Sequence, residues 1–94
     1  MITLNVYYKF DKKGEREKYL KALYENGCVQ GSRQEVGNHK YDYYFSESSD
    51  LEMLLVEHWE SASALDAHSQ TPHFKLLPGI KSDFNVEVKV ERYE

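Results

Sequence analysis

LEMLLVEHWE, Leu51 to Glu60, decides how the rest of the chain must fold. Successive side chains on a strand point to opposite faces, so Leu55, Glu57 and Trp59 share one face while Leu54, Val56 and His58 share the other. Met53, Leu54, Leu55 and Val56 make both faces apolar. Helices packed on one side of a single sheet cover only one of those faces. The other needs a cover of its own, which the sheet of a partner would supply.

Upstream of this strand, Tyr41, Tyr43 and Phe45 alternate with Lys40, Asp42 and Tyr44 after Gly37-Asn38. The turn residues Ser46 to Asp50 join the two runs into a hairpin. Further back, Ile2, Leu4, Val6, Tyr8 and Phe10 alternate with polar or amphipathic neighbours, the pattern of a strand with one buried face. Between these strands EREKYLKALYEN sets Tyr19, Leu20, Leu23 and Tyr24 on one helix face, with Gly27 as the stop. Cys28 to Glu35 is left open between a further helical turn and a loop, because Gly31 and the polar run weaken it.

Downstream, Ser63 reads as an N-cap with Asp66 three residues on, so SALDAHSQ is a short helix with Ala64, Leu65 and His68 on one side. Thr71-Pro72 reads as a new N-cap with proline at the first helical position, opening a second short helix in HFKLL. Phe84, Val86, Val88 and Val90 alternate with polar residues in a closing strand. Strand, helix, strand, strand, helix, strand is the order of an α+β, ferredoxin-like βαββαβ sandwich with an antiparallel four-stranded sheet. Residues 1–94 make one domain, with no repeat or linker.

Composition excludes several classes of function. Hydrophobic residues are 40% and charged residues 30% of the chain, enough apolar material for a core. A net charge of −4 with acidic and basic residues mixed throughout offers no basic stripe for a phosphate backbone, so no nucleic-acid partner is expected. Met1 leads directly into a β-like segment, and no run of about 18 apolar residues is present, so neither secretion nor membrane insertion is expected. The lone Cys28 cannot form a disulfide within the chain, and the reading is a cytoplasmic protein with an inert, buried thiol. No nucleotide-binding glycine pattern and no Ser-His-Asp arrangement is visible.

Three of the four histidines and the only tryptophan lie between Glu57 and Phe74. His68 and His73 are five residues apart across Pro72, whereas a helical two-histidine metal pair wants a spacing of four. With no third ligand at a recognisable spacing, no metal is expected. Glu57 and Trp59 share a face, and His68 projects toward it if that face meets the helices. An imidazole beside an indole and a carboxylate can move protons and hold a flat substrate. The same residues also fit a core tryptophan with a satisfied buried histidine and a glutamate bonded to backbone amides. Spacing alone leaves both readings open.

The chain resembles the antibiotic biosynthesis monooxygenase (ABM) domain family across almost its whole length. The resemblance rests on MITLNVYYKF, the helix from Glu15 to Glu25, SRQEVGNHKYDYYF and above all EHWESASALDAHSQTPHF. The last follows the family pattern of E-x-W at a strand end, L-x-x-H on a small-residue helix, then P-H-F. These are here Glu57 and Trp59, Leu65 and His68, and Pro72, His73 and Phe74. The resemblance implies a homodimer, a dimeric α/β barrel whose two sheets face each other. It also implies a monooxygenase acting on a small aromatic substrate such as a quinol with O2, without metal or flavin. His68 and Trp59 are then the expected catalytic residues, and Tyr41, Glu57, His73 and Phe74 the expected substrate-binding ones. Other branches of the family isomerise a small phosphorylated metabolite or degrade haem. The haem branch's Asn, Trp and ligating His fall here on Val6, His68 and a position near Pro78, so haem is not expected. An isomerase, or a binding or stress-response module without turnover, remains the alternative.

Overall fold

Four strands and five short helices build the chain, and the computed structural model describes residues 1–94. The strands are β1 (Ile2–Phe10), β2 (Asn38–Phe45), β3 (Glu52–Trp59) and β4 (Val86–Tyr93). They pair antiparallel in the order β2-β3-β1-β4, the expected ferredoxin-like sheet. The helices are α1 (Glu15–Glu25), α2 (Cys28–Arg33), α3 (Ala62–His68), α4 (Pro72–Lys75) and α5 (Leu77–Lys81). No helix is long and apolar enough to cross a membrane.

Register explains where the core sits. On β1, Ile2, Val6 and Tyr8 stand opposite Trp59, Leu55 and Met53 of β3, and all six are buried beneath the helices. Tyr19 and Leu23 of α1 close this layer, with Phe84 meeting the Tyr19 ring edge-on at 5.5 Å. Leu54 and Val56 face away from the helices and are only partly buried, beside Tyr7 and Tyr44. The two-sided apolar pattern of β3 therefore has one face covered within the chain and one not.

Several sequence expectations shift at their edges. The segment left open becomes helix α2, because Gly27 adopts a left-handed φ of 73° that lets the chain turn and restart one residue after α1's cap. Tyr24, expected on the buried face of α1, is exposed, and Arg16 is buried in its stead. The Arg16 guanidinium donates to the carbonyls of Ser49 and Glu52 at 2.9 and 3.0 Å and lies 4.0 Å from the centre of the Phe45 ring. It ties α1 to the β2–β3 turn. LPGIK forms an extra helix, α5, that the apolar pattern did not announce.

Gly37 enters β2 with φ of 89°, and its carbonyl accepts from Glu60 N–H at 2.8 Å. A Cβ there would sit 2.6 Å from the Ala64 Cβ. Gly37→Ala combines a disfavoured backbone conformation with that clash and should lose roughly 1–3 kcal/mol of stability in urea unfolding. An unchanged midpoint would show that the loop relaxes freely.

Candidate functional site

Local capping decides how the two site histidines meet. Helix α3 is capped by Ser61, whose extended backbone lets Oγ accept from Ala64 N–H at 3.2 Å. This corrects the expectation of a cap at Ser63, which lies within the first turn and bonds the Ser61 hydroxyl at 3.0 Å. Thr71 caps α4 as expected, accepting from Phe74 N–H, and its own hydroxyl donates to the His68 carbonyl at 2.7 Å. His68 thus ends one helix and His73 opens the next, with the chain turning between them. Their ring centres are 6.0 Å apart.

Both rings converge on Glu35, in the turn between α2 and β2. One carboxylate oxygen, Oε2, lies 2.6 Å from His68 Nδ1 and 2.7 Å from His73 Nε2. The spacing argument against joining His68 to His73 therefore fails: they meet across a turn, on a third residue that their own segment does not contain. These three side chains are close enough to share an ion. The distances are those of a hydrogen-bonded cluster.

His68 is boxed in by aromatic rings. Its centre lies 4.6 Å from the Trp59 indole, 5.0 Å from Phe74 and 5.9 Å from Tyr41. Trp59 has no exposed surface, and its Nε1 donates to Glu57 Oε1 at 2.9 Å. Glu57 is therefore bonded to the indole and not to backbone amides. Burial pushes its carboxyl up to about 7, the adjacent charge of Glu35 adding to this and the indole N–H opposing it. Burial also lowers the His68 pKa, outweighing the pull of Glu35 in the other direction.

Beside this cluster lies a cavity of about 320 Å3 between the sheet and α3 to α5. Its walls are mainly apolar: Leu4, Val6 and Leu55 from the sheet, Leu65 and Leu77 from the helices, and Val90 at the edge strand. Tyr8, Tyr41 and Phe74 add aromatic surface, and Glu57, Asp66, His68 and Ser69 are its polar groups. No Lys or Arg lines it. His68 Nε2 has no hydrogen-bond partner in the chain, whereas every sealed side-chain nitrogen or oxygen has one. Nε2 is thus not sealed off, and the His68 side chain lines the cavity. Among the expected site residues, Tyr41, Glu57, His68 and Phe74 border the cavity. Trp59 lies beneath it and His73 behind His68.

This arrangement sits on a recognisable chain. The family model described as antibiotic biosynthesis monooxygenase matches residues 1–77. The chain belongs to that family. The match to ABM proteins spans β1 through the start of α5 and includes every cavity and cluster residue just described except Val90 of β4. "Putative monooxygenase YcnE" of Bacillus subtilis (strain 168) is 33% identical over 75 residues, covering 80% of this chain and 76% of YcnE. A protein of unknown function from Bacteroides thetaiotaomicron, described as a possible oxidoreductase, superposes with a TM-score of 0.85 at 32% identity, over 99% of this chain and 95% of its own. A "putative antibiotic biosynthesis monooxygenase" from Deinococcus radiodurans shares the fold, with a TM-score of 0.84 at 24% identity, over 100% and 91% of the two chains.

Glu35 is the site residue that sequence reading missed. It stands in SRQEVGNHKYDYYF, a segment that carries the resemblance, but nothing in its spacing ties it to histidines more than 30 residues away.

The Glu57 carboxyl supplies a pH signature. Its folded pKa lies above the ordinary 4.5, so the native state keeps a proton that the unfolded chain releases. The stability this gives is complete below about 4.5 and is lost as pH rises through about 7. Glu57→Gln, which can keep the indole hydrogen bond, should remove that dependence. Its unfolding free energy from urea titration should exceed wild type at pH 8 by up to about 3 kcal/mol and converge with it near pH 4. Parallel pH profiles for the two proteins would contradict the raised pKa.

Proposed function

We propose that this ABM protein is a cofactor-independent monooxygenase acting on a small, neutral hydroxyaromatic such as a quinol. The observation that carries this reading is an imidazole, His68, on the wall of a mainly apolar cavity, with no hydrogen-bond partner in the chain at its Nε2. A volume of about 320 Å3 suits one or two fused rings. Without Lys or Arg in the walls, phosphorylated substrates find no counter-charge.

In this reading His68 Nε2 takes the proton of a phenolic hydroxyl, leaving an electron-rich anion. The anion passes one electron to O2, and the resulting radical and superoxide combine through a new C–O bond. Cleavage of the O–O bond leaves one oxygen on the ring and releases the other as water. For a quinol with a free ring position the balance is quinol plus O2 to hydroxyquinone plus water, with all electrons supplied by the substrate. Tyr41 and Phe74 hold the ring, while Trp59 acts from beneath, keeping His68 and Glu57 in place. A second reading, proton-transfer isomerisation, is favoured by one observation: two acid–base groups, Glu57 and His68, border the same cavity.

Oxygen uptake with a panel of quinols tests the first reading. His68→Ala, checked for folding, should lower kcat/KM by roughly 100- to 10,000-fold. Because burial lowers its pKa, His68 stays neutral, and activity stays full, down to a pH below the ordinary imidazole value of 6.5, then falls on further acidification. Unchanged uptake in His68→Ala would remove the residue from that role.

The uncovered sheet face supports a second part of the proposal, a homodimer in which two sheets face each other as a barrel. Leu54 and Val56, with Tyr7 and Tyr44, provide its apolar contact. A cytoplasmic location completes the reading. Sedimentation at micromolar concentration should give a two-chain species, and Leu54→Asp should shift it to one chain. A wild-type monomer would rule the dimer out.

A further inference from the structure

We infer that Glu35 and His73 form a positioning clamp. Glu35 holds His68 in the Nδ1–H tautomer, with its Nε2 lone pair on the cavity, and His73 is a second donor that pins the carboxylate. The catalytic consequence rests on the monooxygenase reading above, but the tautomer itself does not.

The argument begins with one oxygen atom. Glu35 Oε2 receives both contacts, at 2.6 and 2.7 Å. An ionised carboxylate can only accept, so each ring nitrogen facing it must carry a hydrogen. A lone pair on His68 Nδ1 would instead oppose a negative oxygen at hydrogen-bond distance. Neutral imidazole has one N–H, so placing it on Nδ1 leaves Nε2 bare. The side chain of Glu35 is 12% exposed and that of His68 4%, so little water competes for either.

His73 adds what a simple pair lacks. With one donor, a carboxylate can rotate and carry the imidazole with it. With a second donor from another helix on the same oxygen, its position is set from two directions. His73 is itself located by its surroundings. Its carbonyl accepts from Cys28 Sγ at 3.5 Å, and its ring lies so close to α2 that a Cβ on Gly31 would be 2.6 Å from Nδ1. Gly31 admits the ring.

The ionisable groups around His68 come from several elements, Tyr8 of β1 among them across the cavity. Glu57 on β3 and Asp66 on α3 border the cavity, Tyr41 on β2 meets the ring edge, Glu35 follows α2, and His73 comes from α4. Of these, Glu35 alone is hydrogen-bonded to the His68 ring, and it favours the charged ring that forms when Nε2 takes a proton. A second-layer carboxylate of this kind orients an imidazole and stabilises its protonated form without touching substrate.

Long-range proton–nitrogen correlation spectra of the full-length, 15N-labelled protein test the clamp. Near pH 8 wild-type His68 should show a protonated Nδ1 and a bare Nε2. In Glu35→Gln that bias should weaken and the His68 titration midpoint should fall. His73→Leu and Gly31→Ala should loosen the bias, whereas His73→Gln, which keeps a donor, should restore it relative to His73→Leu. With an active quinol, Glu35→Gln should lower kcat/KM by roughly 10- to 1,000-fold and move its acid limb to lower pH. A wild-type Nε2–H tautomer would overturn the proposal, as would an unchanged His68 tautomer and midpoint in a folded Glu35→Gln. If no quinol is oxidised while the tautomer behaves as stated, the monooxygenase reading fails and the clamp stands.

Discussion

A sheet has two faces, and in this chain the helices cover one. That constraint organises the molecule. β1 and β3 occupy the centre, and their inward residues meet Tyr19 of α1 at one end, over Tyr8 and Phe10, and His68 of α3 at the other, over Trp59. Toward α1 the layer fills with Phe10, Tyr19 and Phe84, ring against ring. Toward α3 it fills only in part, and the space left over is the cavity. The same two-layer geometry thus gives a densely packed end and a hollow end.

The hollow end has a layered polarity. Nearest the void are His68 and Glu57, and behind them lie Trp59 and the Glu35–His73 pair. Each inner polar group is therefore backed by a partner that faces no substrate. Such backing lets an ionisable side chain stay in a water-poor setting without an orphaned donor or acceptor. It also divides the cluster into residues a ligand can touch and residues that act through them, a division that spacing along the chain does not reveal.

What was legible in the sequence follows from how local each feature is. Strand alternation is local, and it placed β1, β2, β3 and β4 and sorted Glu57 and Trp59 from His58 onto opposite faces. Thr71-Pro72 is a local signal too, and it marked the start of α4. Ser63 misled because two serines in ESASALD compete for one cap, and the backbone conformation at Ser61 settles the choice. Glu35 and Arg16 were invisible for a different reason. Both are charged residues on polar-looking segments, and both are drawn inward by groups 33 or more positions away. Folding brings those partners together, and no periodicity encodes it.

Cys28 lies in the wall of α2, 3% exposed, with its sulfur against the His73 carbonyl and its pKa raised by burial. Thiols react with disulfides and peroxides as thiolates, so this one is doubly guarded, by access and by protonation. Burial and protonation together slow the oxidation of such a sulfur. A single cysteine of this kind is silent about redox surroundings, and its value to the molecule is as a small, greasy spacer.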